Sequence, residues 1–283
     1  MKILVFGVTG LVGTELELAS EHYPIELVGV SHVDVELSDY ESVRAIIFNE
    51  RPDSVVNLVA IPSINPCEEN PDLAFSLHVT APLHMIKACA ELDSVYVQAS
   101  SHAVFDGTKE EPYTENDIPN PTNVYGVSKF ASEVLSANLC QRHYVIRLAT
   151  MYGRRRNRSL GFVDKMLELM QNRGELKVAD DKIDSPTYAK DVAQSLLKLL
   201  TEAPDYGIYH LANSGFVSYF DFVCSLRDQL GIECEIFRAK DSDFPALGLK
   251  PLRTALSSVR LKPMRPWEEA LAEYVETTMM SGR

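Results

Sequence analysis

Lys2-Ile3-Leu4-Val5-Phe6-Gly7-Val8-Thr9-Gly10-Leu11-Val12-Gly13 opens the chain. Residues 2–6 form a short apolar run of the kind that makes a buried strand, and residues 14–20 carry a helical pattern. Between them, Gly7, Gly10 and Gly13 let the backbone turn tightly, approach a pyrophosphate and pack the helix close. The helix N-terminus adds N–H groups and the positive end of its dipole. Strand, glycine turn and helix in this order open a dinucleotide-binding fold. The spacing Gly-x-x-Gly-x-x-Gly departs from the commoner Gly-x-Gly-x-x-Gly, so the motif draws its weight from its place right after a strand.

Outward from this turn the rhythm continues. Residues 25–30 read as a second strand, whose end selects the cofactor: an acid there takes the ribose 2′-hydroxyl, basic residues a 2′-phosphate. Ser31 and His32 stand at this end and are neither, which leaves NAD and NADP both open. Residues 33–37, with Asp34, read as a short third strand, and residues 40–49 as an amphipathic helix. Residues 54–60 are a β-branched strand ending Asn57-Leu58-Val59-Ala60, followed by a polar loop at 62–70. Residues 73–92 predict one long helix, and 94–99 and 144–148 two more strands. Strand and helix alternate throughout, which signals an α/β fold: a Rossmann-type doubly wound parallel sheet. Beyond Gly153 the pattern loosens. Helices are expected at 162–172, 191–200, 219–230 and 267–277, an irregular stretch at 177–188, and a strand at 206–212. The expected division is a dinucleotide-binding domain over 1–153 and a smaller C-terminal substrate-binding lobe over 154–283, with residues 189–212 returning to the sheet.

At 283 residues there is ample chain for a core. The net charge of −13 argues against nucleic acid or an anionic membrane as a general partner. Five scattered cysteines without Cys-x-x-Cys spacing suit reduced thiols in a cytoplasm, and no leader or membrane span is expected. Asp106, Asp184 and Asp191 have no metal-ligand spacing, so no metal is expected.

The chemistry points to Val124-Tyr125-Gly126-Val127-Ser128-Lys129, which opens a helical run. Tyr125 and Lys129 are four residues apart and share one helix face. A phenol is a poor acid at neutral pH, and an ammonium beside it favours the phenolate. Such a tyrosine is expected to hand a proton to a carbonyl oxygen as hydride reaches the carbon.

These stretches together resemble the extended short-chain dehydrogenase/reductases, and within them the dTDP-4-dehydrorhamnose reductase family. The resemblance is carried by the Gly7–Gly13 turn, Asn57-Leu58-Val59-Ala60, residues 100–107 ending Val104-Phe105-Asp106-Gly107, and residues 120–129. It continues through Arg147, Tyr152-Gly153, Ser185-Pro186-Thr187, Asp191-Val192-Ala193 and the helix after Pro266-Trp267, over essentially the whole chain. It implies Tyr125 as catalytic acid, Lys129 as the lysine that holds the nicotinamide ribose and lowers the tyrosine pKa, and Ser101 as the hydroxyl donor to the reacting carbonyl. Ser100 reads as a support. Implied cofactor contacts are Gly7, Thr9, Gly10, Leu11, Val12, Gly13, Ser31, Asp34, Leu58, Val59 and Ala60, with Tyr125 and Lys129, for NADP or NAD with NADPH favoured. Implied substrate contacts are Ser101, His102, Asn65, Thr150 and Arg154.

Several positions depart from the family pattern. His102-Ala103 replaces Asp-Tyr, His78 replaces an asparagine, and Thr150 replaces a tryptophan; Pro62-Ser63-Ile64-Asn65 also differs. His78 reads as a hydrogen-bonded core histidine rather than a proton relay. For His102, packing and function both stay open. Arg154, Arg155, Arg156 and Arg158 suit a diphosphate clamp or a solvated loop, and Trp267 reads as a core anchor. The resulting expectation is an NAD(P)H-dependent reductase of a nucleotide-activated keto-deoxy sugar in polysaccharide biosynthesis, with a sugar nucleotide and a second copy of the chain as partners. Two alternatives stand beside it. One is a nucleotide-sugar epimerase or dehydratase on the same scaffold. The other is a non-catalytic cofactor-binding subunit, like the regulatory subunit of methionine adenosyltransferase.

Overall fold

The structure is a computed structural model that describes residues 1–156 and 160–281. In chain order β1 (Lys2–Phe6), α1 (Leu11–Ser20) and β2 (Glu26–Val30) are followed by α2 (Tyr40–Glu50) and β3 (Ser54–Asn57). Two short helices, α3 (Ile64–Glu69) and α4 (Pro71–Phe75), lead through a π-helical turn at Ser76–Thr80 into α5 (Ala81–Leu92). Next come β4 (Val95–Ser101), a 3₁₀ turn at His102–Val104, α6 (Val124–Leu139), β5 (His143–Leu148) and β6 (Met151–Tyr152). The remainder holds α7 (Phe162–Asn172), β7 (Glu175–Ala179), β8 (Ile183–Asp184), β9 (Thr187–Tyr188), α8 (Ala189–Glu202) and β10 (Gly207–Leu211). It closes with β11 (Val217–Ser218), α9 (Tyr219–Leu230), β12 (Glu235–Ala239) and α10 (Trp267–Ser281).

Six strands form one parallel sheet in the order β2-β1-β3-β4-β5-β10. The chain winds outward from β1 in one direction to β2 and in the other from β3, so strand order reverses between β1 and β3. In open sheets of this kind ligands bind at the carboxyl ends of the strands at that point. Alternation along β1 explains both layers. Ile3 and Val5 pack with Val12 and Leu16 of α1 and Leu196 and Leu200 of α8. Leu4 and Phe6 face the other way, onto Val43, Ile47, Met85 and Ile86 of α2 and α5. Each such side chain, fully buried, is worth about 1.5–3 kcal/mol relative to exposure. A separate cluster gathers Tyr152, Val163, Phe222, Leu226, Trp267, Leu271 and Tyr274. There the Trp267 ring stands edge-on to Phe222, with centroids 5.7 Å apart.

Five local expectations are corrected. Residues 33–37 form no strand, because the Asp34 carboxylate turns back onto the Ser31 N–H at 2.7 Å and its hydroxyl at 2.6 Å, which closes a turn at the end of β2. The strand expected over 54–60, β3, stops at Asn57, and the loop at 62–70 contains α3. The stretch at 177–188 is not irregular: β7 pairs in parallel with β12, and β8 pairs with β11. The long helix from residue 73 is interrupted by the π turn around His78.

Candidate active site

The glycine turn fits its expected task. Gly7 has φ +86, and a Cβ there would stand 3.2 Å from the Leu58 carbonyl carbon and the Val59 nitrogen, so β1 and the end of β3 touch through bare backbone. A Cβ at Gly13 would come within 2.6 Å of Gly7 O and the Val8 backbone, which binds α1 tightly to its strand. Gly10 caps α1 without any side chain, leaving the first-turn N–H groups to a ligand. A Cβ at Gly10 would meet only Gly7 O, at 3.2 Å. Leu58, Val59 and Ala60 follow β3 at this switch point, while Val59 N–H donates to Asn57 Oδ1 at 3.1 Å.

Next to β3 in the sheet, β4 ends at Ser101, and α6 begins at Val124. Asn123 caps α6 through Oδ1, which accepts from Gly126 N–H at 2.8 Å. A Cβ on Gly126 would stand 2.2 Å from Ala103 O, so only glycine lets the first turn of α6 press against the 3₁₀ turn after Ser101. This contact brings Tyr125 close to Ser101, whose hydroxyl pulls the phenol pKa down. Ser101 Oγ also accepts from Ala103 N–H at 3.2 Å. Ser100 points the other way and donates to buried Glu133.

Lys129 lies one turn further along α6 and is 2% exposed. Among the described residues no side chain or carbonyl hydrogen-bonds its amino group; it feels the charges of Glu133 and Cys67. Burial pulls its pKa down to about 8, against those two charges. Burial likewise pushes the Tyr125 phenol up, while Ser101 pulls it back. The expected depression of the tyrosine by the lysine is therefore corrected: desolvation opposes charge on both groups and dominates in this geometry. Glu133 itself is held by Arg147, with Nε to Oε1 at 3.0 Å and Nη2 to Oε2 at 2.7 Å, both side chains almost wholly buried. Sequence reasoning missed this pair behind Lys129; only Arg147 carried a signal, as part of the family pattern.

His78 sits in the π turn, edge-on to the Tyr125 ring at 5.7 Å. Its Nε2 accepts from Ile61 N–H at 2.9 Å, so Nδ1 carries the proton toward Ser128 Oγ at 2.8 Å. Ser128 then donates to the Tyr125 carbonyl at 2.9 Å. Burial drives the His78 pKa down to about 3, helped by the charge of Lys129. The ring is a neutral structural link.

Two other expected residues meet in a second cluster. The Asp184 carboxylate is fully buried and accepts from His102 Nδ1 at 3.0 Å, Ser185 N–H at 2.9 Å and Thr150 N–H at 3.1 Å. The Thr150 hydroxyl also donates to Asp184, which leaves Tyr219 OH to donate to Thr150 Oγ1 at 2.8 Å. Asp184 and Tyr219 were not foreseen, and the only nearby signal was Ser185-Pro186-Thr187. The remaining residues are placed elsewhere. Asn65 Oδ1 accepts from Leu247 N–H at 3.1 Å on the rim. Arg154 pairs with buried Glu15 of α1 at 3.3 Å, and Arg156 N–H donates to Thr9 O at 3.2 Å, so this loop lies on the glycine-turn helix. Arg155 pairs with Asp164, and Arg158 lies outside the described residues.

This geometry can be compared with known proteins. Residues 1–280 match the family described as RmlD substrate binding domain. The chain belongs to that family. The RmlD-type chain is 32% identical over 279 residues to the spore coat polysaccharide biosynthesis protein SpsK of Bacillus subtilis, covering 97% of each. Its fold is that of a dTDP-4-dehydrorhamnose reductase structure from Clostridium acetobutylicum, with TM-score 0.94, 29% identity and coverage of 99% and 100%. A dTDP-4-dehydrorhamnose reductase from Bacillus anthracis in complex with NADP superimposes with TM-score 0.91 at 25% identity, covering 98% of this chain and 99% of that one. Among the described residues no helix is long and apolar enough to cross a membrane.

Proposed function

We propose that this RmlD-type chain is an NADPH-dependent reductase of a nucleotide-activated 4-keto-6-deoxy sugar, acting in polysaccharide biosynthesis. One observation carries the reading: a Ser101–Tyr125 hydroxyl pair stands at the end of β4, with a buried lysine amino group one turn away that has no hydrogen-bond partner among the described residues. A protein that only binds a cofactor needs no such pair. The glycine cradle and the N-terminus of α1 suit the pyrophosphate, with Thr9, Leu11 and Val12 beside it; Leu58, Val59 and Ala60 suit the adjoining nucleotide, and Ser31 the adenosine ribose. The Lys129 ammonium, without a hydrogen-bond partner among the described residues, suits the nicotinamide ribose hydroxyls. NADPH supplies hydride to the carbonyl carbon when bound. Ser101 and Tyr125 hydrogen-bond the carbonyl oxygen, which stabilises its developing charge, and Tyr125 delivers the proton. Proton transfer to a near-neutral substrate from a phenol held high in pKa requires the hydroxyl pair to act on the alkoxide, a much stronger base than the ketone.

We assign the nucleotide-binding role to residues 1–153 and the sugar-facing role to the lobe in 154–283, on the basis that β8 and the start of α9 line the cluster around Asp184. Five free cysteines are in keeping with a reducing cytoplasm. A homodimer is part of the proposal, tested by sedimentation. The activity is tested by NADPH oxidation with dTDP-4-dehydrorhamnose. Tyr125→Phe should lower turnover by about 100- to 10,000-fold with cofactor affinity unchanged. Equal single-turnover rates in wild type and variant would remove the assignment.

A further inference from the structure

Behind Lys129 lies a buried ionic assembly that the proton transfer just described does not use. Glu133 follows Lys129 by four residues on α6, so the two share one helix face, a turn apart. Glu133 is 3% exposed, and Arg147, on strand β5, 1%. Arg147 grips the carboxylate in a fork through Nε and Nη2, and Ser100 Oγ, near the end of β4, also donates to Oε1. The guanidinium is fixed in turn. His210 Nδ1 donates to Ser257 O at 2.9 Å, so Nε2 keeps its lone pair and accepts from Arg147 Nη1 at 3.4 Å. The Phe105 ring lies against the guanidinium carbon, 5.0 Å from its centroid.

As structure alone this assembly gains little. Two desolvated charges recover not much more than they lose, and apolar side chains of the same volume commonly fill a core as well. Its layout gives it a use. The carboxylate is carried by the helix of Lys129, whereas the guanidinium reaches it from β5. Of a carboxylate's roughly four acceptor sites, Ser100 and the fork fill three here, which leaves one on Oε2 without a partner among the described residues. Around Lys129, the π turn, α3 and α6 supply neutral groups. Burial holds the His78 imidazole down at about 3, the Cys67 thiol up at about 11, and the Tyr125 phenol above its ordinary value. Glu68 of α3 is bonded to the Val124 N–H at 2.8 Å, at the start of α6. Glu133 is the carboxylate whose charge favours the ammonium against burial.

We propose that Glu133, locked by Arg147 and Ser100, is a positioning residue that keeps the buried Lys129 an ammonium, in the form that the nicotinamide ribose requires. The proposal rests on the cofactor reading of Lys129 above. Arg147 and His210 serve it by keeping the carboxylate from taking up a proton or turning away.

The apoprotein offers a readout that does not depend on turnover. Lysine labelled with carbon-13 at Cε is titrated by NMR, with Lys129→Met assigning the signal. The wild-type Lys129 midpoint should stand near 8. Glu133→Gln keeps an acceptor oxygen for Arg147 but drops the charge, and its midpoint should fall by about one pH unit or more, a tenfold rise in the acid dissociation constant. Glu133→Asp retains the charge and should recover at least half of that fall. NADPH affinity, measured by calorimetry across the same pH range, should decline above each midpoint and shift downward with it. A merely structural pair would lower the melting temperature and leave the midpoint in place. A fall of less than about half a pH unit in Glu133→Gln, or a Glu133→Asp midpoint no higher than that of Glu133→Gln, overturns the proposal. Should Glu133→Gln not fold, the double variant Glu133→Gln, Arg147→Met removes both buried charges and is judged by the same limit. If wild type binds no NADPH, the cofactor reading falls, and the apoprotein titration alone decides this inference.

Discussion

Replacing Lys129 with methionine should make this protein more stable while destroying its proposed activity. The amine is 2% exposed and its pKa is lowered from 10.5 to about 8 by burial. At ~1.4 kcal/mol per pKa unit, keeping the ammonium charged in the fold costs about 3 kcal/mol at neutral pH. The direction with pH follows from proton counting. Between pH 8 and 10.5 the unfolded chain holds more protons than the native one, so stability rises with pH across that window as the cost is relieved. Methionine has a similar reach and no charge, so Lys129→Met removes the cost at once. Urea unfolding without cofactor at pH 7 should show the variant more stable by up to about 3 kcal/mol, with the gap shrinking to roughly half near pH 9.5. Added NADPH should then stabilise wild type far more than the variant, because the ribose contact is lost. A variant no more stable than wild type at pH 7, or a gap that stays constant from pH 7 to 9.5, would refute the reasoning. Such a result would mean that the ammonium is solvated or paired in solution.

Gly10→Val places branched carbons on the face of the glycine turn that a Cβ finds almost open, the side reserved for the pyrophosphate. NADPH affinity measured by calorimetry should fall at least about tenfold, or roughly 1.4 kcal/mol, in a protein with near-normal melting. His78 has its pKa lowered to about 3, so the stability that depends on its neutral ring is complete above pH 6.5 and is lost progressively as pH falls toward 3. His78→Leu removes the partners of Ile61 N–H and Ser128 and should cost about 2–4 kcal/mol at pH 7, while flattening the acid limb of a stability-versus-pH curve. An unchanged acid limb would show that His78 is not the group that titrates.

The sequence by itself determined what local patterns carry. Strand, glycine turn and helix at residues 2–20, the alternating buried strands, the helical face shared by Tyr125 and Lys129, and the return of residues 207–211 all follow from periodicity and turn chemistry in short windows. The proximity of Ser101 to Tyr125 was legible only through resemblance, since no spacing reports a contact between a strand end and a helix. What depends on one segment meeting another was decided by tertiary structure. His102 finds Asp184 across 82 residues, and Arg154 finds Glu15 across 139, which draws that arginine onto α1. The Asp34 turn displaced a plausible strand because a carboxylate within reach of Ser31 offered hydrogen bonds that an edge strand did not. Burial, above all, is a property of the packed molecule. A tyrosine and a lysine one turn apart suggest a lowered phenol pKa, yet the shell of protein around them raises one and lowers the other, because removing water penalises whichever form is charged.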